Sequence, residues 1–225
     1  RESGYWVDRF FCFGNWYLPC AGLDFDDYLQ SRSSRLRHNI TRGQRRLSRA
    51  GAWEVEICSA DDARLAPCLH DFEAVYAASW KRGEAQPEFI RQLVRLLARD
   101  GSLRLGVLRA GDQALAAQLW WVRGGRACIY KLAYREDAAH FSAGSVLSAA
   151  LFRQALERDR VREVDYLSGD DAYKREWMSA RRERWGLVAF DPRRGAGLLA
   201  ALRHYGGRAW HRLVSKFSAE NASAP

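Results

Sequence analysis

Between His140 and Trp177 the sequence HFSAGSVLSAALFRQALERDRVREVDYLSGDDAYKREW concentrates side chains able to do chemistry. Ser142 stands where a residue caps a helix, and Gly144 lacks the side chain that would keep a ligand away from the backbone N–H groups of Ser142 to Ser145. A helix start of this kind holds anions, pyrophosphate and phosphate above all. Each N–H dipole contributes only about 0.3 to 1 kcal/mol, so several must act together. Asp165 closes a hydrophobic run, where a carboxylate can orient an amine, and Tyr173 and Lys174 add a phenol and an ammonium. Lys174 also stands out by scarcity, because Lys81, Lys131, Lys174 and Lys216 are the only lysines among 36 basic residues. Each has a plainer reading. Asp165 caps the backbone of Leu167 to Gly169, the Tyr173 ring packs under a helix, and Lys174 reaches solvent. His140, alone before the cradle, reads as structural.

The elements that position these groups follow from periodicity. Val146, Leu147, Ala150, Leu151 and Ala155 recur at helical spacing, so one face of this helix packs on a sheet while its N-terminus stays free. VREVDYL then supplies a strand. After a helix of this length it lies parallel to the strand before it, Ala127 to Tyr134, through a right-handed crossover. Ligands gather at the carboxyl ends of such strands.

Tyr130 and Tyr134, then Ser142-Ala143-Gly144, then Asp165-Tyr166-Leu167-Ser168-Gly169, then Tyr173-Lys174 and Trp177 come in an order that resembles a known family. The chain is similar to GNAT-superfamily acyltransferases, in particular the branch named for the cellulose-biosynthesis protein CelD, which is related to the Fem aminoacyltransferases of peptidoglycan cross-bridges. That branch carries a tyrosine-rich strand, a Ser-Pro-Gly helix start, Asp-Phe-x-x-Gly and Tyr-Lys-x-x-Trp. Ala143 replaces its proline, and the wider superfamily's pyrophosphate signature is reduced to Gly144. The resemblance implies acetyl-CoA or another acyl-CoA as co-substrate, no metal, and direct attack of an amine on the thioester. It implies that the strand around Tyr130, Leu132 and Tyr134 holds the pantetheine arm by its backbone, where the parallel pair splays, and that Ser142, Gly144 and Ser145 face the pyrophosphate. Tyr173 is then the acid for the leaving thiolate, Lys174 a stabiliser of negative charge, and Asp165 an orienting carboxylate. A Fem-like use of charged tRNA and a non-catalytic scaffold in polysaccharide synthesis are the competing expectations.

The rest of the chain fits a mixed α/β GNAT fold: a central, mostly antiparallel sheet with one splayed parallel pair and helices on both faces. Trp53 to Cys58 alternates as a strand, Asp61 to Ser79 reads as a helix, and a second helix runs from Pro87 to Gly101. Ser102 to Arg109 and the turns at Gly111-Asp112 and Gly124-Gly125 make an antiparallel meander. Arg182 to Phe190 closes the domain. The expected divisions are residues 1–50, a strand and arginine-rich helix read as the remnant of a first GNAT-like half; 51–192, the acyltransferase domain; and 193–225, a basic amphipathic tail. In the first of these, Tyr5 to Tyr17 reads as a strand without an evident partner, and Asp24 to Gln30 as a short acidic helix. The helix capped by Ser33 or Ser34 has a seam of Leu36, Ile40, Gly43, Leu47 and Ala50. Its arginines, Arg37, Arg42, Arg45, Arg46 and Arg49 among them, face solvent or grip phosphates. The tail is expected to pack on the domain, broken at Gly206-Gly207, with residues from Asn221 onward disordered. Trp80 and Trp177 are expected in the core, and Lys131 paired within the sheet.

Composition sets the outer bounds. With 225 residues and 48% hydrophobic residues the chain can bury one substantial core or two small ones. The longest largely apolar run, Ala114 to Val122, falls short of the about 20 residues a membrane helix needs. A chain beginning at Arg1 rather than Met reads as a trimmed chain or as a fragment of a longer protein. Five cysteines without Cys-x-x-Cys spacing argue against a disulfide framework or zinc site, and for buried thiols in a reducing cytoplasm. The formal net charge of +9 suits a polyanionic partner, whether CoA, RNA or an anionic membrane face.

Overall fold

The structure, a computed structural model, describes residues 4–81 and 84–221, and of residues 208, 209 and 211–221 only the backbone. The chain forms two compact units, Gly14–Arg182 and a smaller one made of the residues before Gly14 and after Arg182. The elements in order are β1 (Trp6–Pro19), α1 (Phe25–Gln30), α2 (Ser34–Ala50), β2 (Trp53–Cys58), α3 (Leu65–Ala77), α4 (Pro87–Arg99), β3 (Leu103–Ala110), β4 (Gln113–Arg123) and β5 (Arg126–Tyr134). After a 3-10 turn, Glu136–Phe141, come α5 (Ala143–Arg153), β6 (Glu163–Asp165), α6 (Lys174–Trp177), β7 (Ala180–Phe190) and α7 (Gly195–Asn221).

The strands follow the order β2-β3-β4-β5-β6-β1-β7. β5 and β6 run parallel, while the pairs β2–β3, β3–β4, β4–β5 and β1–β6 are antiparallel. The mixed α/β class and the single parallel pair therefore stand as the sequence predicts. Hydrophobic residues fill both faces. On one, Trp120, Phe152, Tyr28 and Leu147 form a cluster with α2 and α5; on the other, Leu105, Val107, Phe72 and Val94 pack α3 and α4. Burial of side chains this large contributes about 1.5 to 3 kcal/mol each.

Local chemistry sets the helix starts. Asp24 accepts the Asp27 N–H at 2.8 Å and Ser33 that of Leu36 at 3.2 Å. Pro87 opens α4. α3 begins at Leu65, later than Asp61, because Asp62 instead takes the Arg64 N–H at 2.9 Å in a turn. The expected seam of α2 is buried from Leu36 to Leu47, but Ala50 is exposed. β1 finds its partner 148 residues on, with Tyr17 opposite Asp165.

Three sequence expectations are corrected. Trp80 is 48% exposed rather than in the core, its ring lying 4.4 Å from that of Tyr134. α7 runs without interruption through Gly206-Gly207; two glycines cost a helix about 1 kcal/mol each without blocking it sterically. Its Leu198, Leu199, Leu202 and Trp210 are exposed rather than packed, although Ala201 is buried and the His204 ring lies 5.3 Å from Phe190 within the smaller unit. The side chains of Leu213 and Phe217, and residues 222–225, lie outside the described residues. Of the five thiols, Cys12 is exposed and four are buried.

Candidate active site

β5 and β6 pair only over Arg126–Glu163, Ala127–Val164 and Cys128–Asp165, and then part. The Tyr166 N–H turns instead to the Trp16 carbonyl at 3.0 Å. On its other edge β5 meets β4 with an irregularity: Leu119 lies opposite Lys131 and Trp120 opposite Ile129, so Tyr130 is the extra residue of a bulge. Among the described residues, the edge of β5 toward β6 is therefore without a strand partner from Ile129 to Tyr134. Two cavities flank this parting. One, of about 510 Å³, is lined by Trp80, Leu132, Tyr134, Ser142, Gly144 and Ser145. The other, about 390 Å³, holds Tyr130 and three lysines. Leu132, Tyr166 and Tyr173 line both.

The start of α5 opens on the first cavity, with a different division of labour from the expected one. Ser142 sits at the N-cap position in the left-handed region, φ 53°, and its side chain caps nothing. The Ser142 N–H donates to Ala139 O at 3.0 Å and that of Ser145 to Ser142 O at 2.9 Å. Among the described residues no protein acceptor takes the N–H of Ala143 or Gly144, which are thus the open donors of this helix terminus. Glycine at 144 also answers a packing need, since a Cβ there would stand 3.1 Å from the Tyr134 ring. Gln118 in β4 fixes the turn from below, donating to Gly144 O at 3.1 Å and to the Ser148 hydroxyl at 2.8 Å.

α2 buttresses the same turn. A Cβ at Gly43 would lie 2.6 Å from Phe141 O and 2.9 Å from Val146 Cγ2, so only glycine lets the two helices close, and Arg46 donates to His140 O at 2.5 Å. Gly43→Ala is accordingly expected to cost about 1 to 3 kcal/mol by overpacking against backbone, measured as a lowered urea midpoint. Leu36 and Asn39 of α2 reach the first cavity, while Arg37, Arg42, Arg45 and Arg49 border a separate hollow lined by that helix alone.

The loop from Tyr166 to Tyr173 is held at both ends. Asp165 is buried; its Oδ1 accepts from Asn15 Nδ2 at 2.6 Å and from the Leu167 N–H at 2.7 Å, and Arg182 pairs with its Oδ2. The cap on Leu167 is thus present, and Asn15 and Arg182 join it from β1 and β7. Lys174, expected from its helix position either to reach solvent or to stabilise charge, is only 5% exposed. Its ammonium donates to Ser168 O at 2.7 Å and Gly169 O at 3.3 Å and pairs with Asp171 at 2.9 Å, which occupies all three of its N–H groups. Gly169, at φ 101°, suits this closure twice, because a Cβ would stand 2.8 Å from Lys174 Nζ. Tyr173 is 44% exposed, with its ring edge-on to Tyr166 at 5.8 Å. Burial, and then Asp171, push its phenol up to about 12, so it stays a proton donor through the physiological range. Trp177 is buried, stacked on Phe152 at 5.0 Å.

Trp80 and Lys81, on the connection between α3 and α4, line one cavity each. The sequence offers little to mark them beyond the rarity of lysine. Away from both cavities Glu56, Cys58 and Cys68 bring potential metal-ligand atoms within 4.8 Å of one another. Arg109 already supplies positive charge there, 2.7 Å from Glu56 and 2.6 Å from Asp71. Among the described residues, no helix is long and apolar enough to cross a membrane.

Comparison with known proteins agrees with this geometry at the level of fold. No curated protein sequence matches the chain. The structure is similar to the C-terminal domain of an Agrobacterium fabrum protein named as a lysylphosphatidylglycerol synthetase (TM-score 0.58, 15% identity, 89% of this chain and 66% of that one). It is similar also to L-PGS from Bacillus licheniformis (0.55, 13%, 89% and 66%) and to FemX (0.63, 12%, 80% and 62%). The chain thus spans slightly under two thirds of the length of these structures. The sequence profile described as an acetyltransferase (GNAT) domain matches residues 34–175, from the start of α2 through the clamped loop to α6, and the chain belongs to that family.

Proposed function

We propose that the chain transfers an acyl group, acetyl in the first instance, from acyl-CoA to an amine by direct attack. The observation that carries this reading is the parting of β5 from β6 beyond Cys128 and Asp165, with the open N–H groups of Ala143 and Gly144 at the side of one cavity. The donor's pyrophosphate would sit on those groups beside Ser142 and Ser145, and its pantetheine arm along the unpartnered edge of β5 from Tyr130 through Leu132 to Tyr134. In the transfer the C–N bond forms and the C–S bond breaks. The thiolate leaves with a proton from Tyr173, and the surplus proton of the amine passes to water, which restores the phenol. Asp165 and Lys174 act on the reaction by holding the loop that carries Tyr173. The motif order further suggests a CelD-like branch member, acting in the cytoplasm on a glycan or peptide amine of polysaccharide or cell-envelope synthesis.

A second reading, aminoacyl transfer from charged tRNA, is favoured by the arginine face of α2 beside the cradle. Calorimetry distinguishes the two. Acetyl-CoA and desulfo-CoA are expected to bind, and charged tRNA to show no binding even at low salt, where phosphate contacts are strongest. Gly144→Val drives its side chain into the Tyr134 ring and screens the open N–H groups, so acetyl-CoA affinity should fall at least ~10-fold, equivalent to about 1.4 kcal/mol. An unchanged unfolding midpoint would localise the effect. Undiminished affinity in this variant would place the donor elsewhere, and binding of neither CoA nor tRNA would favour the non-catalytic scaffold.

A further inference from the structure

Three of the four lysines in this arginine-dominated chain, Lys81, Lys131 and Lys174, line one cavity of about 390 Å³. They come from three separate places, the α3–α4 connection, β5 and α6, so no local sequence pattern gathers them. Lysine suits so small a space, because its ammonium is a compact point charge on a flexible stem whereas guanidinium is a wide planar fork.

The three are not equivalent. Lys174 has its donors occupied by Ser168, Gly169 and Asp171. Lys131 is paired with Glu84 at 2.6 Å. Lys81 is in no ion pair among the described residues; its Nζ stands 5.5 Å from the centroid of the Tyr76 ring, on which Lys131 also bears at 5.5 Å, and 5.7 Å from that of Trp80. Burial, and after it the charges of Lys131 and Lys174, hold the Lys81 ammonium below its usual range. The charges of Lys131 and Lys174 thus bear on Lys81, which has no carboxylate in an ion pair with it among the described residues, and Asp171 and Glu84 offset them only in part. An anion entering the cavity beside Lys81 would offset the remainder.

We propose that this cavity receives the acceptor, and that the acceptor is an amine bearing an oxyanion, carboxylate or phosphate, which seats on Lys81 beside Lys131. The inference deepens the acyl-CoA reading and rests on it for the identity of the opposite cavity. Leu132, Tyr166 and Tyr173 line both spaces, so an amine anchored by its anion on the lysine side faces a donor held on the other side of Tyr173. Lys81 is then a specificity-determining residue rather than a participant in the chemistry.

The test is calorimetry on the 225-residue chain without acyl donor, using pairs that differ in the anion: phosphoethanolamine against ethanolamine, and glycine against glycinamide. At least one anionic member is expected to bind ~10-fold or more tightly than its neutral counterpart, as a charge-assisted contact gives; which pair shows the larger ratio separates phosphate from carboxylate. Lys81→Gln, which keeps the stem and removes the charge, should abolish the preference while acetyl-CoA affinity and the unfolding midpoint stay unchanged. Equal binding within both pairs, no binding of either anion at millimolar concentration, or a preference that survives in Lys81→Gln would overturn the proposal. Failure of the donor reading appears separately, as absent acetyl-CoA binding in the parent chain.

Discussion

Tyr173→Phe is expected to lower kcat by the ~10²- to 10⁴-fold typical of general acid–base groups while leaving acetyl-CoA affinity essentially unchanged. Phenylalanine keeps the edge-on contact with Tyr166 and removes only the proton, so a packing role would survive the change and a proton-donating role would not. The pH profile gives an independent check. With its phenol pushed up to about 12, Tyr173 is almost wholly protonated around neutral pH, so loss of the acid cannot produce an alkaline limb there. A fall in rate toward acid would instead report protonation of the attacking amine. Lys174 is predicted to behave differently from Tyr173. The two adjacent positions point about 100° apart on a helix and do not face one atom, and the Lys174 donors are engaged with the loop backbone. If Tyr173→Phe turned over like the parent on an identified acceptor, Tyr173 would be a packing residue and the thiolate would take its proton from water.

Much of the frame that positions Tyr173 was legible in the sequence because its signals are local. Helical periodicity from Val146, the turn glycines at 111 and 124–125, and the cap at Ser33 each act within a few residues. The parallel pair followed from connection length and handedness. What was not legible depends on residues far apart in sequence. Asn15 reaches Asp165 across 150 positions, and Arg182 enters from the strand after the motif. Lys174 could not be recognised as buried, because helix periodicity over a four-residue turn carries no information about a loop folding back over its ammonium. Residue type alone puts Trp80 in the core, since a large aromatic is usually buried; its exposure comes from the α3–α4 connection, which sets its ring against Tyr134. The bulge at Tyr130 leaves no mark in the strand alternation, and neither does the change of cavity along β5, which falls at Leu132. At the start of α5, Ser142 and Ser145 use their N–H groups internally while Ala143 and Gly144 leave theirs open, a division that residue types and spacing do not disclose.

Arg182→Ala is expected to destabilise the chain by about 3 kcal/mol, the lower end of the range for breaking a buried ion pair, because Arg182 retains 25% side-chain exposure. The Asp165 side chain is only 3% exposed and would keep its bonds from Asn15 and Leu167 but lose its cation. Glu163 contributes less to the loss, since Arg126 still pairs with it at 2.7 Å. Asn15 Oδ1 would also lose the Arg182 Nε donor at 2.6 Å, and the Tyr17 ring the guanidinium over its face. Urea unfolding reads the change as a lowered midpoint at constant slope. The double replacement Asp165→Asn with Arg182→Met separates an uncompensated charge from simple loss of contacts: it removes both charges while the new side-chain amide oxygen can still accept from the Leu167 N–H, and it should be the more stable of the two variants. A cost below about 1 kcal/mol for Arg182→Ala would mean that water screens Asp165 despite its burial. The consequence for catalysis follows from the same bonds. Asp165 fixes the first turn of the loop and Lys174 its last, so under conditions where Arg182→Ala remains folded, kcat should fall with acetyl-CoA affinity little changed, because the loop positions Tyr173 whereas the proposed donor cradle at Ala143 and Gly144 is held from α2 and β4.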